Sequence, residues 1–207
     1  MSSLGQNATI VLVHGAWADG SCWQKVILPL REEGFKVTCA SIPLTSLVDD
    51  IAALERVLER TCGPVLLAGH AYGGAVIAGP SDSRVRALVY VAALAPAEGE
   101  TVADVFYRSK PHPEAPHLEP NAHGFIWMPE GGFAHAVAHH ASPDQITILE
   151  AVQRPIAVKM HSGEGSCAEL ESEAIVVSGG GRGSHDSAGH TVFHGAADGR
   201  KDAYTPR

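Results

Sequence analysis

The hexapeptide Gly69-His70-Ala71-Tyr72-Gly73-Gly74 is the most informative feature of this chain. It follows an apolar run over 64–68, and its glycines have the spacing of the pattern G-x-S-x-G, with alanine at the serine position. That pattern is typical of a sharp turn from a strand into a helix, which lifts a serine oxygen above the end of a sheet. Because Ala71 carries only a methyl group, we predict the turn without its reactive atom.

Apolar runs and helical patterns alternate through the first half of the chain. Continuous apolar runs are typical of strands that are covered on both faces, as in a parallel sheet. Here they cover 9–13, 36–42, 64–68 and 87–94. Helical patterns cover 21–33, with Ser21 as a candidate N-cap, and 46–60. The alternation predicts an α/β fold with a mostly parallel, doubly wound sheet.

The second half of the chain differs from the first. Prolines punctuate the segment that follows the fourth run, and short helices are predicted at 101–108, 131–141 and 143–152. We interpret residues 1–96 as the sheet core and 97–158 as a helical cap inserted over it, where loops often carry substrate selectivity. Residues 159–207 are rich in Gly, Ser, His and Asp, and only 174–177 resembles a strand. We expect an atypical, poorly ordered tail, because low apolarity does not offset the cost of ordering.

Composition excludes several classes of protein. The chain has 207 residues, is 45% hydrophobic and 18% charged, and carries a formal charge of -8. A negative balance argues against a nucleic-acid binder, which usually shows a basic face. No apolar run reaches about 18 residues, so no membrane span is expected. Residues 1–8 are polar and lack an apolar signal core, which predicts a cytoplasmic location.

The cysteines and histidines do not indicate a metal site. None of the four cysteines forms a C-x-x-C pair, and free buried thiols are expected in a reducing compartment. They are Cys22, Cys39, Cys62 and Cys167. His135 and His139 could share a helical face, but zinc would need a third ligand that the sequence does not identify.

A second motif lies after the first apolar run. His14-Gly15-Ala16-Trp17 occupies the position from which hydrolases with this turn supply one backbone N–H to a reacting oxygen. The residue after the nucleophile position supplies the other N–H, so the two donors are predicted on Ala16 and Tyr72. Two converging N–H groups form an oxyanion hole, which stabilises negative charge on a carbonyl oxygen.

Six residues are candidates for the wall of an acyl pocket. Each could equally be ordinary core or cap packing, because fold-level analogy does not place side chains. They are His14, Trp17, Trp23, Phe106, Tyr107 and Trp127.

With both motifs in view, residues 9–96 resemble the α/β-hydrolase superfamily, in a small bacterial branch similar to plant methylesterases and hydroxynitrile lyases. The stretches 11–23 and 66–75 carry the resemblance, and 104–107 and 153–156 are similar to the helical cap of that branch. The resemblance implies an ancestor that hydrolysed carboxylic esters with a serine, an acid and a histidine in that order. It also implies a small ester or acyl compound as ligand and no cofactor.

The chain departs from the family at all three catalytic positions. Ala71 replaces the serine, and the usual sequence contexts of the acid and the histidine do not occur. If the coding sequence is shifted by one base from Lys159 onward, suitable synonymous codons give a string that resembles the missing strand, acid and helix. Our hypothesis is that a frameshift replaced the native C-terminal quarter, so that the C-terminal strands are truncated or replaced.

These observations predict a catalytically impaired relative of ester hydrolases. Two alternatives stay open: a pseudoenzyme that binds a small ligand, and an engineered serine-to-alanine variant of an active esterase. A third class, serine-independent lyase or oxygenase chemistry, would need a histidine above Ala71.

Overall fold

A five-stranded, wholly parallel sheet forms the centre of the structure, which is a computed structural model. It describes residues 7–97, 99–108, 115–138, 140–162 and 173–177, with the side chains of all but 161–162 and 173–177. The strands are β1 (Thr9–Val13), β2 (Lys36–Ala40), β3 (Val65–Ala71), β4 (Val85–Ala93), β5 (Phe125–Ile126), β6 (Ile156–Ala157) and β7 (Glu173–Val177). The sheet has the order β2-β1-β3-β4-β7, whereas β5 and β6 form a separate antiparallel pair. The predicted α/β fold with a parallel sheet is confirmed.

The helices between the strands cover the two faces of the sheet. They are α1 (Gln24–Glu32), α2 (Leu47–Leu58), α3 (Gly73–Ile77), α4 (Val102–Phe106) and α5 (Pro143–Val152). The helix α2 begins where the Ser46 side chain accepts from the N–H of Asp49, and its apolar stripe buries Leu54 and Leu58. Its position agrees with the helical pattern over 46–60.

Two apolar clusters lie on opposite sides of the sheet. The larger cluster joins α2 and α3 to the sheet and includes Leu54, Leu67 and Val76, all fully buried. The smaller cluster joins Leu12 and Trp23 to the α1 side. No residue of α1 is buried, and Leu28 is 65% exposed. The core of the fold therefore lies chiefly on the side of α2 and α3.

The start of the first helical segment differs from the prediction. A 3-10 turn over Gly20–Trp23 precedes α1, and the side chain of Asp19, rather than that of Ser21, accepts the capping hydrogen bond. The Ser21 N–H is the donor of that bond, at 2.8 Å. An aspartate caps a helical turn as well as a serine does, and here it lies two residues earlier.

Short elements make up the segment 97–158. The helix α4 is shorter than the predicted 101–108, and a single π-helical turn over Phe133–Val137 lies within the predicted 131–141. The helix α5 has the predicted bounds, with Ser142 as N-cap and a reciprocal bond from Gln145. The division into core, cap and tail stays a prediction.

The strand β7 lies in the segment predicted to be an atypical tail. It pairs in parallel with β4, from Ala87 opposite Glu173 to Val91 opposite Val177. The apolar run at 174–177 is therefore a strand of the main sheet. The expectation for 163–172 and 178–207 lies outside the described residues.

The described cysteines are free thiols, although two of the three are not buried. Cys22 and Cys62 are exposed and Cys39 is half-buried, so the expectation of burial is wrong for the first two. Each lies in a part of the chain near the surface, Cys22 in the turn before α1 and Cys62 in the connection from α2 to β3. Cys167 lies outside the described residues. Within the described ranges, no helix is long and apolar enough to cross a membrane.

The larger cluster should dominate stability. We expect Leu54→Ala to lower the free energy of unfolding by about 2–5 kcal/mol, since it removes a fully buried side chain and leaves a cavity. Urea denaturation checks this value. The matched control Leu28→Ala, on the exposed face of α1, should change it by less than about 0.5 kcal/mol. Equal effects of the two changes would contradict the assignment of the core.

Candidate functional site

Ala71 lies at the tip of the turn between β3 and α3. Its φ is +49°, a left-handed conformation that is uncommon for residues other than glycine. The N–H of Leu94 donates to the carbonyl of Ala71 at 2.9 Å, which holds the turn against the end of β4. The sharp turn predicted from the hexapeptide is therefore present, and its backbone is strained at Ala71, which carries only a methyl group.

Two glycines of the hexapeptide are required by close backbone contacts. A Cβ on Gly73 would lie 2.6 Å from the carbonyl oxygen of Val13 and 2.8 Å from that of His14. A Cβ on Gly69 would overlap the carbonyl of Gly73 and lie 2.7 Å from the nitrogen of Gly74. Real Cβ atoms do not approach the backbone this closely, so α3 packs against the end of β1 only because positions 69 and 73 carry no side chain.

The segment after β1 lies directly against the tip of the turn. A Cβ on Gly15 would be only 2.9 Å from the Cβ of Ala71. Among the described residues, neither the N–H of Ala16 nor that of Tyr72 has a hydrogen-bond acceptor. Two backbone donors without an acceptor therefore belong to residues next to the Ala71 methyl, and their role as an oxyanion hole stays a prediction.

His14 is a buried structural residue. Its ring is fully buried, and Nε2 accepts from the N–H of Ile42 at 3.3 Å. Nδ1 must then carry the ring proton, which it donates to the carbonyl of Gly15 at 2.9 Å. Burial lowers the pKa of His14, so the neutral ring is favoured. Because both ring nitrogens are used, the assignment of His14 to a pocket wall is not supported, and its role is to hold the backbone.

A buried pair of side chains, which no sequence pattern predicted, lies next to the turn. The Tyr72 hydroxyl donates to Asp50 Oδ2 at 2.7 Å, and the Leu44 N–H donates to Asp50 Oδ1 at 2.7 Å. Asp50 is fully buried and Tyr72 is 2% exposed. Burial raises the pKa of Asp50 to about 6 and, together with the nearby Asp50 carboxyl, raises that of Tyr72. The available signal was an acidic residue on the apolar face of α2, three residues after Leu47 and four before Leu54.

Trp23 and His70 lie on the other side of the sheet from the larger cluster. Trp23 is 7% exposed, belongs to the smaller cluster and meets the His70 ring edge-on, with centroids 6.3 Å apart. Burial lowers the pKa of His70. The structure therefore places Trp23 in the core, as the packing alternative expected.

The remaining aromatic candidates differ in exposure. Trp17 packs against the larger cluster, and its indole N–H donates to the carbonyl of Ile126 at 3.1 Å, which joins the loop after β1 to β5. Phe106 and Tyr107 contact each other edge-on at 5.1 Å, and both are exposed. Trp127 is also exposed. Of the six candidates, Trp17 is thus the one that is partly buried in the loop after β1, two residues from Gly15.

Across the residues that the structure describes, no group of three or more His, Cys, Asp or Glu side chains could hold an ion.

The strain at the tip gives a first test. We expect Ala71→Gly to leave the free energy of unfolding unchanged or to raise it by as much as about 1 kcal/mol, because glycine adopts a positive φ without cost. The control Ala75→Gly, in the adjacent helix, should lower it by about 1–2 kcal/mol. Denaturant unfolding of both variants measures the difference. Destabilisation of equal size would argue against a strained turn.

The buried carboxyl gives a second test. Since the pKa of Asp50 is raised to about 6 in the folded protein, the folded protein binds the proton of this carboxyl more tightly than the unfolded chain does. Its contribution is present below about pH 4 and is lost as the pH rises through about 6, by an amount on the order of 3 kcal/mol. Relative to the parent, Asp50→Asn should therefore gain stability across this interval, measured by urea unfolding at several pH values. The exposed control Asp144→Asn should show no such gain, and a flat difference for Asp50→Asn would contradict the assignment.

Comparison with known proteins agrees with this geometry. The model of the alpha/beta hydrolase family matches residues 10–197. A carbendazim hydrolyzing esterase from Nocardioides sp. (strain SG-4G) is 30% identical over 121 residues, which cover 50% of this chain and 49% of that protein. The putative chloroplastic methylesterase 11 of Arabidopsis thaliana is 32% identical over 112 residues, or 46% of this chain and 29% of that protein. These alignments span at most about half the length of the curated relatives.

Solved structures share the fold at low sequence identity. A tomato methylketone synthase I variant complexed with β-ketoheptanoate has a TM-score of 0.71 at 16% identity, covering 86% of this chain and 81% of that one. Polyneuridine aldehyde esterase also has a TM-score of 0.71 at 16% identity, with coverage of 83% and 80%. The parallel sheet, the strained turn after β3 and the match over most of the sequence agree, and the chain belongs to the alpha/beta hydrolase family.

Proposed function

We propose that this protein binds a small acyl compound, an ester or a ketone, and turns over esters poorly or not at all. The observation that carries the proposal is Ala71 at the tip of a turn whose strain and glycine packing are intact. The unpaired N–H groups of Ala16 and Tyr72 would donate to the ligand's carbonyl oxygen, where partial negative charge resides.

The relatives favour a carbonyl compound as the ligand. The similar curated proteins are named as esterases. Structures of tomato methylketone synthase I contain β-ketoheptanoate and 2-tridecanone; the second has a TM-score of 0.64 at 16% identity, with coverage of 82% and 78%. A methyl ketone presents one carbonyl oxygen and an apolar tail, so it suits a cradle of two N–H groups and has no bond for a serine to cleave.

Catalytic impairment follows from the chemistry of the missing oxygen. A serine hydrolase needs a hydroxyl to attack the ester carbon, a histidine to carry its proton and an acid to orient the histidine. Loss of the serine alone lowers turnover on the order of a million-fold in a well-studied hydrolase. The oxyanion hole and binding alone leave a rate enhancement of about 10³–10⁴-fold over water.

Free thiols at Cys22, Cys39 and Cys62 agree with a reducing, cytoplasmic location, which is part of the proposal.

Binding can be measured by thermal stabilisation. At ten times its dissociation constant, 2-tridecanone should raise the melting temperature by about 3–6 °C, since ligand binding to the folded state adds about 1.4 kcal/mol. Ala71→Leu should abolish the rise by filling the space between the two donors.

The control for that experiment shares its backbone strain. Ala92 lies in β4 opposite the end of β3, is exposed and also has a positive φ, +43°, so Ala92→Leu places the same side chain on a comparable backbone at an exposed position. It should keep the full ligand effect. No stabilisation of the parent by 2-tridecanone or by short-chain esters would contradict the proposal.

Activity separates impairment from an engineered knockout. The purified chain should hydrolyse p-nitrophenyl acetate no faster than an equimolar imidazole blank, and Ala71→Ser should remain within about tenfold of that blank, because a hydroxyl without its base is a weak nucleophile. A rise of several orders of magnitude on restoring serine would show that the other catalytic groups are in place. The alternative of a serine-to-alanine variant of an active esterase would then replace this proposal.

A further inference from the structure

One short segment is hydrogen-bonded to His14 and to Asp50, the two buried side chains that adjoin Ala16 and Tyr72. Residues 41–44, between β2 and α2, will be called the brace. The brace donates the Ile42 N–H to His14 Nε2 at 3.3 Å and the Leu44 N–H to Asp50 Oδ1 at 2.7 Å. His14 lies two residues before Ala16, and Asp50 accepts from the hydroxyl of Tyr72. A continuous chain of bonds therefore joins the two donor-bearing residues through the brace.

The brace is buried and constrained in its conformation. Ile42 and Leu44 are fully buried, as are His14 and Asp50. Leu44 has a φ of +61°, and its carbonyl accepts from the N–H of Ala157 at 2.9 Å. Since no water replaces a bond broken in such surroundings, displacement of the brace leaves buried polar groups unpaired. The brace thus has few ways to move while its bonds remain.

We propose that His14 and Asp50 are positioning residues, which use the brace to fix the Ala16 and Tyr72 N–H groups relative to each other. This inference rests on the proposed function and deepens it. Two donors share one carbonyl oxygen only when their separation is held within about half an ångström. Within the part of the chain that the structure describes, no hydrogen bond joins the segment of Ala16 directly to that of Tyr72. The His14 and Asp50 bonds supply that constraint from beneath.

The coupling predicts an effect at a distance. Tyr72→Phe removes the hydroxyl that Asp50 accepts while keeping the ring, so the direct loss lies at the bottom of the turn. If the brace transmits the change, the amide resonance of Ala16 should move as well as those of Leu44 and Tyr72. A merely structural hydroxyl would lower stability without altering Ala16.

The experiment uses the full chain labelled with ¹⁵N and the soluble methyl ketone 2-heptanone as probe. In the parent, titration should shift the Ala16 and Tyr72 amides together. In Tyr72→Phe, both amides should start from altered positions and the affinity should fall about fivefold or more, as expected when one of the two hydrogen bonds to the ligand's carbonyl is misaligned.

A matched variant separates positioning from stability. Thr61 is also buried, and its hydroxyl donates to the carbonyl of Leu58 at 2.7 Å, outside the brace. Thr61→Val should lower stability yet leave the Ala16 and Tyr72 amides and the affinity unchanged. If Tyr72→Phe does not fold, Asp50→Asn, which keeps an oxygen for the Leu44 N–H, should displace the Leu44 and Ala16 amides together.

The possible failures are distinguishable. A parent that does not bind 2-heptanone or any acyl probe contradicts the proposed function, whereas the ligand-free spectra still decide the coupling. An Ala16 amide that is unchanged in Tyr72→Phe, or in Asp50→Asn where that variant is used, overturns the coupling. An unchanged affinity in Tyr72→Phe overturns the positioning role.

Discussion

The close backbone approach of α3 to the end of β1 is the constraint on which the site depends. Gly73 has no room for a Cβ against the carbonyls of Val13 and His14, and Gly15 lies directly over Ala71. A side chain at either glycine would push the loop after β1 away from the turn and separate the two N–H groups. The same contacts place the end of β3 where its last residue adopts a left-handed conformation. Local strain and global packing are thus set by one contact between a strand and a helix.

The geometry of the cradle does not depend on the side chain at position 71. The glycine contacts, the His14 bonds and the Asp50–Tyr72 pair involve backbone, buried polar groups and, at position 71, no atom beyond the Cβ. An alanine keeps the turn because it needs no more space than the first carbon of a serine. Under the proposed function, binding geometry and covalent chemistry are therefore separable, because the contacts that hold the two N–H groups do not need a serine oxygen.

Local patterns were enough to predict the sheet and its main turn. The run over 9–13 is β1 without change, because a strand covered on both faces has no polar alternation to blur its limits. The helix over 143–152 was equally clear, since Ser142 and Pro143 mark its start. The sharp turn at Ala71 was predictable from the glycine spacing and the apolar run before it, whereas its positive φ is seen only in the structure.

Contacts between distant residues were not predictable in the same way. Asp50 on α2 and Tyr72 in the turn before α3 are 22 positions apart, and no period in the sequence indicates that their side chains meet. Trp23 was an even choice between pocket and core, because only the side of the sheet on which it packs decides the matter. The burial of Cys22 and Cys62 was wrong because thiols in short connections follow the surface position of the loop rather than their own apolarity.

The pairing of β7 with β4 has a consequence for assembly. The pairing from Ala87 with Glu173 to Val91 with Val177 is made by main-chain groups, and residues 94–172 lie between the two strands in sequence. The edge of a sheet binds an added strand through main-chain hydrogen bonds, so it discriminates little between one strand and another. Were β7 displaced, the same main-chain groups of β4 would be open to an extended segment of any other chain, so the β4–β7 pairing also protects this edge of the sheet.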